Sequence, residues 1–263
     1  MNHQNSSQIL APGDRDALVA YLLAWADDEL ILGHRDSEWT GFAPQIEEDV
    51  AFSSIAQDEM GHAGLLYGLI AELTGDDVDH LALRRPPAEY RHAAMVELPN
   101  GDWAFTIARH YLYDLAELCR VDALVDSTYV PLAAIARKVV REEHYHAMHG
   151  SAWWERLRDG SSESRARLYD ALRDLLPLAA DLFVTTPDER ALVASGVLPC
   201  PAGALYEEWL MQIEPLIEAI DPTLRAHLEV YPAPRMPRPV GDCFLALHAE
   251  MTMVSAAGLG ERW

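Results

Sequence analysis

The chain has 263 residues, half of them hydrophobic, with 20 basic against 42 acidic side chains and a formal net charge of −22. That charge excludes nucleic acid as a partner, because phosphates would be repelled, and an anionic membrane surface on the same ground. Three dispersed cysteines (Cys119, Cys200, Cys243) without a CxxC exclude a disulfide framework or thiolate cluster and fit a reducing cytoplasm, while no apolar run approaches the roughly 20 residues that span a bilayer and the polar Met1 to Ala11 lacks a signal-peptide pattern.

Helical periodicity dominates the chain. A first helix is expected from about Asp14 to Gly33. After the polar stretch Arg35 to Thr40, Pro44 suits the first turn of a second helix. That helix carries Glu47, Glu48 and Asp49 near its positive end, runs to about Thr74 and is ended by Gly75. The segment from Asp76 to Gly101, with Pro86, Pro87 and Pro99, reads as a long crossover holding a short helix. Asp102 is an N-cap for a third helix to about Val125, and Pro131 opens a fourth to about Arg158. A fifth is expected from about Glu163 to Phe183. Ala204 to Leu228 reads as a further helix, kinked or broken at Pro215 and Pro222, and Cys243 to Ala256 as the last, after the proline-rich Tyr231 to Pro239. Strand alternation is absent. Helix, helix, long crossover, helix, helix is the order of a one-crossover four-helix bundle. The expected fold is therefore all-α and ferritin-like. It forms one domain, with a metal-binding bundle over about 14–158 and accessory helices over about 163–256.

Two copies of one pattern carry the chemistry: Asp58-Glu59-Met60-Gly61-His62 and Glu142-Glu143-His144-Tyr145-His146. On a helix, positions i and i+3 share a face, so each Glu and His pair can hold one metal ion. Glu59 and His62 lie on the apolar row Phe52, Ile55, Leu66, Leu69; Glu143 and His146 extend the row Leu132, Ala136, Val139. Both pairs should face the core, and Glu142, off that row, should not. A two-metal site takes one further acid from each remaining helix. On the third helix that acid is read as Glu117, with Asp114, one turn earlier, as a supporting carboxylate. On the first helix it is read as Glu29, thirty residues before Glu59, although periodicity alone does not separate it from Asp28. A ligand imidazole normally donates its other N–H to a carboxylate. In an antiparallel pair Asp58 can reach His146 and Glu142 can reach His62. Four buried carboxylates would repel one another at several kcal/mol each, and cations remove that cost. Carboxylate-rich donors with one His per metal suit two iron ions, and the same donors fit manganese or a mixed iron–manganese pair.

Other segments resemble a known family. They are Leu32-Gly33-His34-Arg35 with Ser37-Glu38-Trp39, Glu47-Glu48-Asp49, Glu97-Leu98-Pro99-Asn100-Gly101-Asp102, Thr106-Ile107-Ala108-Arg109, Leu132-Ala133-Ala134-Ile135-Ala136 and Tyr145-His146. These runs resemble the PaaC-type subunits of phenylacetyl-CoA epoxidase complexes. The resemblance covers about Asp14 to Phe183 well and the C-terminal helices weakly. It implies a ferritin-like helical fold and a place in a multicomponent oxygenase. In such complexes a separate subunit holds the di-iron centre and the PaaC-type subunit is structural, with its ligand positions lost. This sequence departs from that pattern by keeping acids and imidazoles at Glu29, Glu59, His62, Glu117, Glu143 and His146.

The expected function is a di-iron oxygenase or oxidase. It would activate O₂ against a small organic substrate, with an aromatic acyl-CoA as one candidate. Arg84, Arg85 and Arg91, clustered in the crossover, are candidates to hold the anionic part of such a substrate. No dinucleotide or ferredoxin-type motif is present, so electrons would come from an external reductase. The chain is expected to self-associate or bind a related helical subunit. The alternatives are a non-catalytic structural subunit and a ferroxidase or peroxide-scavenging protein.

Overall fold

The computed structural model describes residues 10, 12–183, 188–228 and 240–258, and among these all regular structure is helical. In chain order the helices are α1 (Pro12–Ser37), α2 (Ile46–Thr74), α3 (Ala94–Glu97), α4 (Trp103–Leu124), α5 (Val130–Asp159), α6 (Ser162–Ala179), α7 (Glu189–Ala194), α8 (Ala202–Glu218) and α9 (Asp242–Ala257). The protein is an all-α, ferritin-like bundle with additional helices. The N-terminal segment and the proline-rich Tyr231 to Pro239 fall outside the described residues.

The four long helices α1, α2, α4 and α5 form the bundle, and their cross-contacts fix its direction. Tyr67 meets Asp27, and a Cβ at Gly33 would lie 3.1 Å from the Glu59 Cβ, so α1 and α2 are antiparallel. Trp39 meets Thr106 while Tyr113 meets Glu29, so α1 and α4 are also antiparallel. Hence α2 and α4 run the same way, and the chain must travel the bundle's length between them. The crossover spans 75–102. It begins at Gly75, whose φ of 79° is left-handed and ends α2 through an N–H to Ala71 O contact of 2.8 Å. It then passes a π-helical turn (His80–Arg84), a 3₁₀ turn (Pro87–Glu89) and α3.

Capping follows the sequence reading at α4, where the Asp102 side chain accepts from Phe105 N at 2.9 Å. It fails at α2: Pro44 lies before the helix, which begins at Ile46 with Gln45 as its cap. The helix expected over 204–228 ends early. It runs through Pro215 but stops at Glu218, and Pro222 opens a separate 3₁₀ turn capped by Asp221. The α2 row Phe52, Ile55, Leu66, Leu69 and the α5 row Leu132, Ala136, Val139 are all buried, as their periodicity requires. Each large apolar side chain among them contributes about 1.5–3 kcal/mol on burial. Helices α6 and α8 pack on α4, and Trp209 of α8 donates to Leu112 O at 3.1 Å. Helix α4 is thereby covered on the faces it does not turn to the bundle.

Candidate metal centre

Three consecutive acids of α1 are fully buried, and each meets something different. Asp27 binds the Arg85 guanidinium and accepts from Arg91 N at 2.6 Å and Tyr67 OH at 2.6 Å. Asp28 accepts from Ala93 N at 2.5 Å. Both therefore tie the crossover to α1. Glu29 alone turns into the bundle, where its Oε1 accepts from Trp25 Nε1 at 2.9 Å and Tyr113 OH at 3.0 Å. Its Oε2 lies 3.4 Å from His62 Nδ1. Of the two candidate acids, Glu29 is the one that faces His62, while Asp28 faces the crossover. For Arg85, one of the three crossover arginines, the expectation is corrected by the same contacts. Arg85 is buried, committed to Asp27 and stacked 4.1 Å over Tyr90, so it holds the crossover rather than a ligand.

The two acid-x-x-His pairs converge from α2 and α5. His62 Nδ1 is 3.2 Å from Glu143 Oε1 and 3.9 Å from Glu59 Oε2; His146 Nδ1 is 3.3 Å from Glu59 Oε1 and 3.6 Å from Glu143 Oε1. Two donor groups result, each with its ligand atoms within 4.8 Å of one another. One is Glu29, Glu59, His62 and Glu143; the other is Glu59, Asp114, Glu143 and His146. Glu59 and Glu143 belong to both, so each would be shared if both groups held an ion.

The α4 acid that lies within these groups is Asp114, and Glu117 lies outside them. Glu117 is buried one turn further on, paired with Arg120, which also donates to Leu182 O at 2.6 Å. The sequence reading gave Glu117 as the ligand and Asp114 as its supporting carboxylate. The signal that separates them is the hairpin spacing already used for Glu29: Asp114 lies 29 residues before Glu143 as Glu29 lies 30 before Glu59. Arg120 at i+3 from Glu117 is a second signal, since it marks a preformed ion pair.

Outside the donors, each imidazole meets the acid that precedes the other helix's Glu. His62 Nε2 is 2.8 Å from Glu142 Oε2, and His146 Nε2 is 3.6 Å from Asp58 Oδ2. With Nε2 turned to the outer acid, both Nδ1 atoms face inward. Trp25 and Tyr113, which fix Glu29, and His110, which lies 3.1 Å from Asp114, had no such role in the sequence reading.

The electrostatics are those of a site lacking only positive charge. Burial, with the nearby Glu29 and Glu143, pushes the Glu59 carboxyl well above its ordinary range; burial does the same to Asp114. Burial would lower His62, but the contacts with Glu143 and Glu29 raise it to about 12. Burial also opposes ionisation of Glu29, yet its contacts with Glu59, His62 and Tyr113 prevail and hold it at about 2. Glu29 Oε2, both oxygens of Glu59, Glu143 and Asp114, and the inward Nδ1 of His62 and His146 have no aligned hydrogen-bond partner among the described residues. Unpartnered buried groups cost about 1–3 kcal/mol each, and here they converge. Two divalent cations would neutralise the four carboxylates, while Arg120 already neutralises Glu117. The donor set fits a dinuclear centre.

The chain is also similar to known proteins. A profile of the phenylacetic acid catabolic protein family matches residues 1–230. The C component of the 1,2-phenylacetyl-CoA epoxidase of Escherichia coli (strain K12) is 36% identical over 185 residues, covering 70% of this chain and 75% of that protein. Fold, bundle register and sequence together show that this chain belongs to the phenylacetic acid catabolic protein family.

Proposed function

We propose that this chain is a non-haem di-iron oxygenase or oxidase, its two iron ions held by Glu29, Glu59, His62, Asp114, Glu143 and His146. The observation that carries the reading is the pair of four-donor groups sharing Glu59 and Glu143. Carboxylate oxygens with one imidazole per position suit iron, or manganese, better than zinc. When bound, such a pair would supply the electrons that reduce O₂ and the oxidising power for an organic substrate.

The chain's own residues would then do four things. Glu59 and Glu143 span the two positions. Glu142, 2.8 Å from His62 Nε2, would keep that imidazole's proton on Nε2 so that Nδ1 remains a donor atom, and Asp58 faces His146 Nε2 at 3.6 Å. Trp25 and Tyr113 fix one oxygen of Glu29, leaving Oε2 for the first position. The surrounding core, with Trp25, Phe52 and Leu66 fully buried, excludes water and so strengthens every electrostatic contact inside.

The substrate class follows from the E. coli relative, part of an epoxidase of an aromatic acyl-CoA, and is proposed here at that level only. No helix among the described residues is long and apolar enough to cross a membrane. Electrons would come from an external reductase. The exposed apolar side chains Phe42, Ile46 and Val50 around the start of α2, with Met148 on the neighbouring α5, support a partner, either a second copy or a related helical subunit.

A structural role within an oxygenase complex is the second reading, favoured by the similarity to one component of a multicomponent epoxidase. The deciding experiment is O₂ uptake by ferrous-loaded protein, alone and with an aromatic acyl-CoA and an artificial reductant. Uptake with an oxygenated organic product is expected. Uptake without product would point to ferroxidase or peroxide-scavenging chemistry, and no uptake would leave the structural reading.

A further inference from the structure

Behind the second donor group lies a buried polar thread that the ligand set does not use. His110 sits one turn before Asp114 on α4, and its Nε2 is 3.1 Å from Asp114 Oδ2. Its Nδ1 faces Asp36 Oδ2 at 4.0 Å, and Asp36 Oδ1 lies 3.8 Å from the Arg109 guanidinium. All four side chains are fully buried, and neither the Asp36 oxygens nor the His110 nitrogens have an aligned hydrogen bond to a described residue. Arg109 continues the thread to Leu98 O at 2.7 Å and to Asn100; Asn100 reaches Glu38 at 3.0 Å, which pairs with Arg35 at 2.7 Å. The segments around Arg35, Asn100 and Arg109 are among those that gave the family resemblance, and none of these three holds a metal ligand.

Such a thread is costly unless it holds something in place. Each unpartnered buried group costs about 1–3 kcal/mol, and well-supported sites spend neighbouring groups on fixing their ligands. The first donor group offers the comparison. Glu29 is held by Trp25, one turn earlier on α1, through a permanent N–H donor. His110 occupies the equivalent position, one turn before Asp114. Aspartate has one methylene fewer than glutamate, so its reach depends more on where its carboxylate is held.

We propose that His110, backed by Asp36, is the positioning residue of the second metal position. It holds the Asp114 carboxylate toward His146, so occupancy of that position, and not of the first, depends on it. The inference rests on the dinuclear reading above.

The test is anaerobic titration with ferrous ion of the wild-type chain, His110→Phe and His110→Gln, with electron paramagnetic resonance after oxidation. The wild type should bind two ions and give the silent spectrum of a coupled ferric pair. His110→Phe should keep the first ion, bind the second roughly 10–100-fold more weakly, and show the signal of an isolated ferric ion. His110→Gln, which places an N–H near the Nε2 site, should restore the pair. If His110→Phe does not fold, Asp36→Leu replaces it, which removes both oxygens facing Nδ1, with the same selective loss of the second ion expected. Two ions bound with wild-type affinity, equal weakening of both, or no rescue by glutamine would overturn the proposal. A wild-type chain that binds no metal would instead bring down the dinuclear reading and this inference with it.

Discussion

Glu142 and Glu143 are neighbours on α5, and their carboxylates meet different things. Glu143 is buried among both imidazoles, whereas Glu142 is partly exposed and touches only the outer nitrogen of His62. Glu143→Ala should therefore abolish binding of one ion or both. Glu142→Ala should weaken binding roughly 10–100-fold with the ion count intact; iron analysis of both variants checks this. A second pair separates roles on α4. Asp114→Ala should lose the second ion. Glu117→Gln should keep both ions yet destabilise the fold by about 3–5 kcal/mol, because it leaves Arg120 buried and uncompensated; denaturant unfolding beside metal analysis reads the two effects. The sequence carried the first distinction, because α5 has one buried stripe and Glu142 lies off it. It blurred the second, because Asp114 and Glu117 are both fully buried on a helix that has no exposed stripe near them.

The four bundle helices were legible because each needs its own length of periodic apolar residues, and their order follows from a crossover too long for a hairpin. The sequence showed that the crossover holds a short helix but obscured its π-helical and 3₁₀ turns and α7, whose few turns are stabilised by contacts rather than by periodicity. The crossover is held by Asp27, Asp28 and Arg85, partners 58 to 65 residues apart in the chain, which no local pattern displays. Arg85→Met should accordingly cost about 3–5 kcal/mol by leaving Asp27 buried without its partner, measured by denaturant unfolding, and with no effect on the ion count. The approach of α1 to α2 is equally specific. A Cβ at Gly33 would lie 3.1 Å from Ala56 O, the Glu59 Cβ and the Met60 Cγ. Gly33→Ala should cost about 1–3 kcal/mol through overpacking and disturb the helix that carries Glu59.

At the scale of the whole molecule, a buried set of carboxylates and imidazoles links stability to both pH and metal. Without metal, Glu59, Asp114, His62 and His146 all have raised folded-state pKa values, so each contributes stability that is lost as pH rises through that value. His110 is lowered by burial, and its opposing contribution is complete above the ordinary value of 6.5. The metal-free Tm should therefore fall between about pH 7 and pH 9. Metal binding must displace the protons on those four groups, so affinity should rise with pH over the same interval, with proton release measurable by calorimetry in buffers of different ionisation enthalpy. The central claim is that the four helices build one dinuclear centre. Its most direct test is the number of ferrous ions bound per chain after anaerobic loading and removal of free metal. About two ions per chain are expected, falling to about one or none in Glu59→Ala; fewer than about 0.3 per chain in the wild type would contradict the claim.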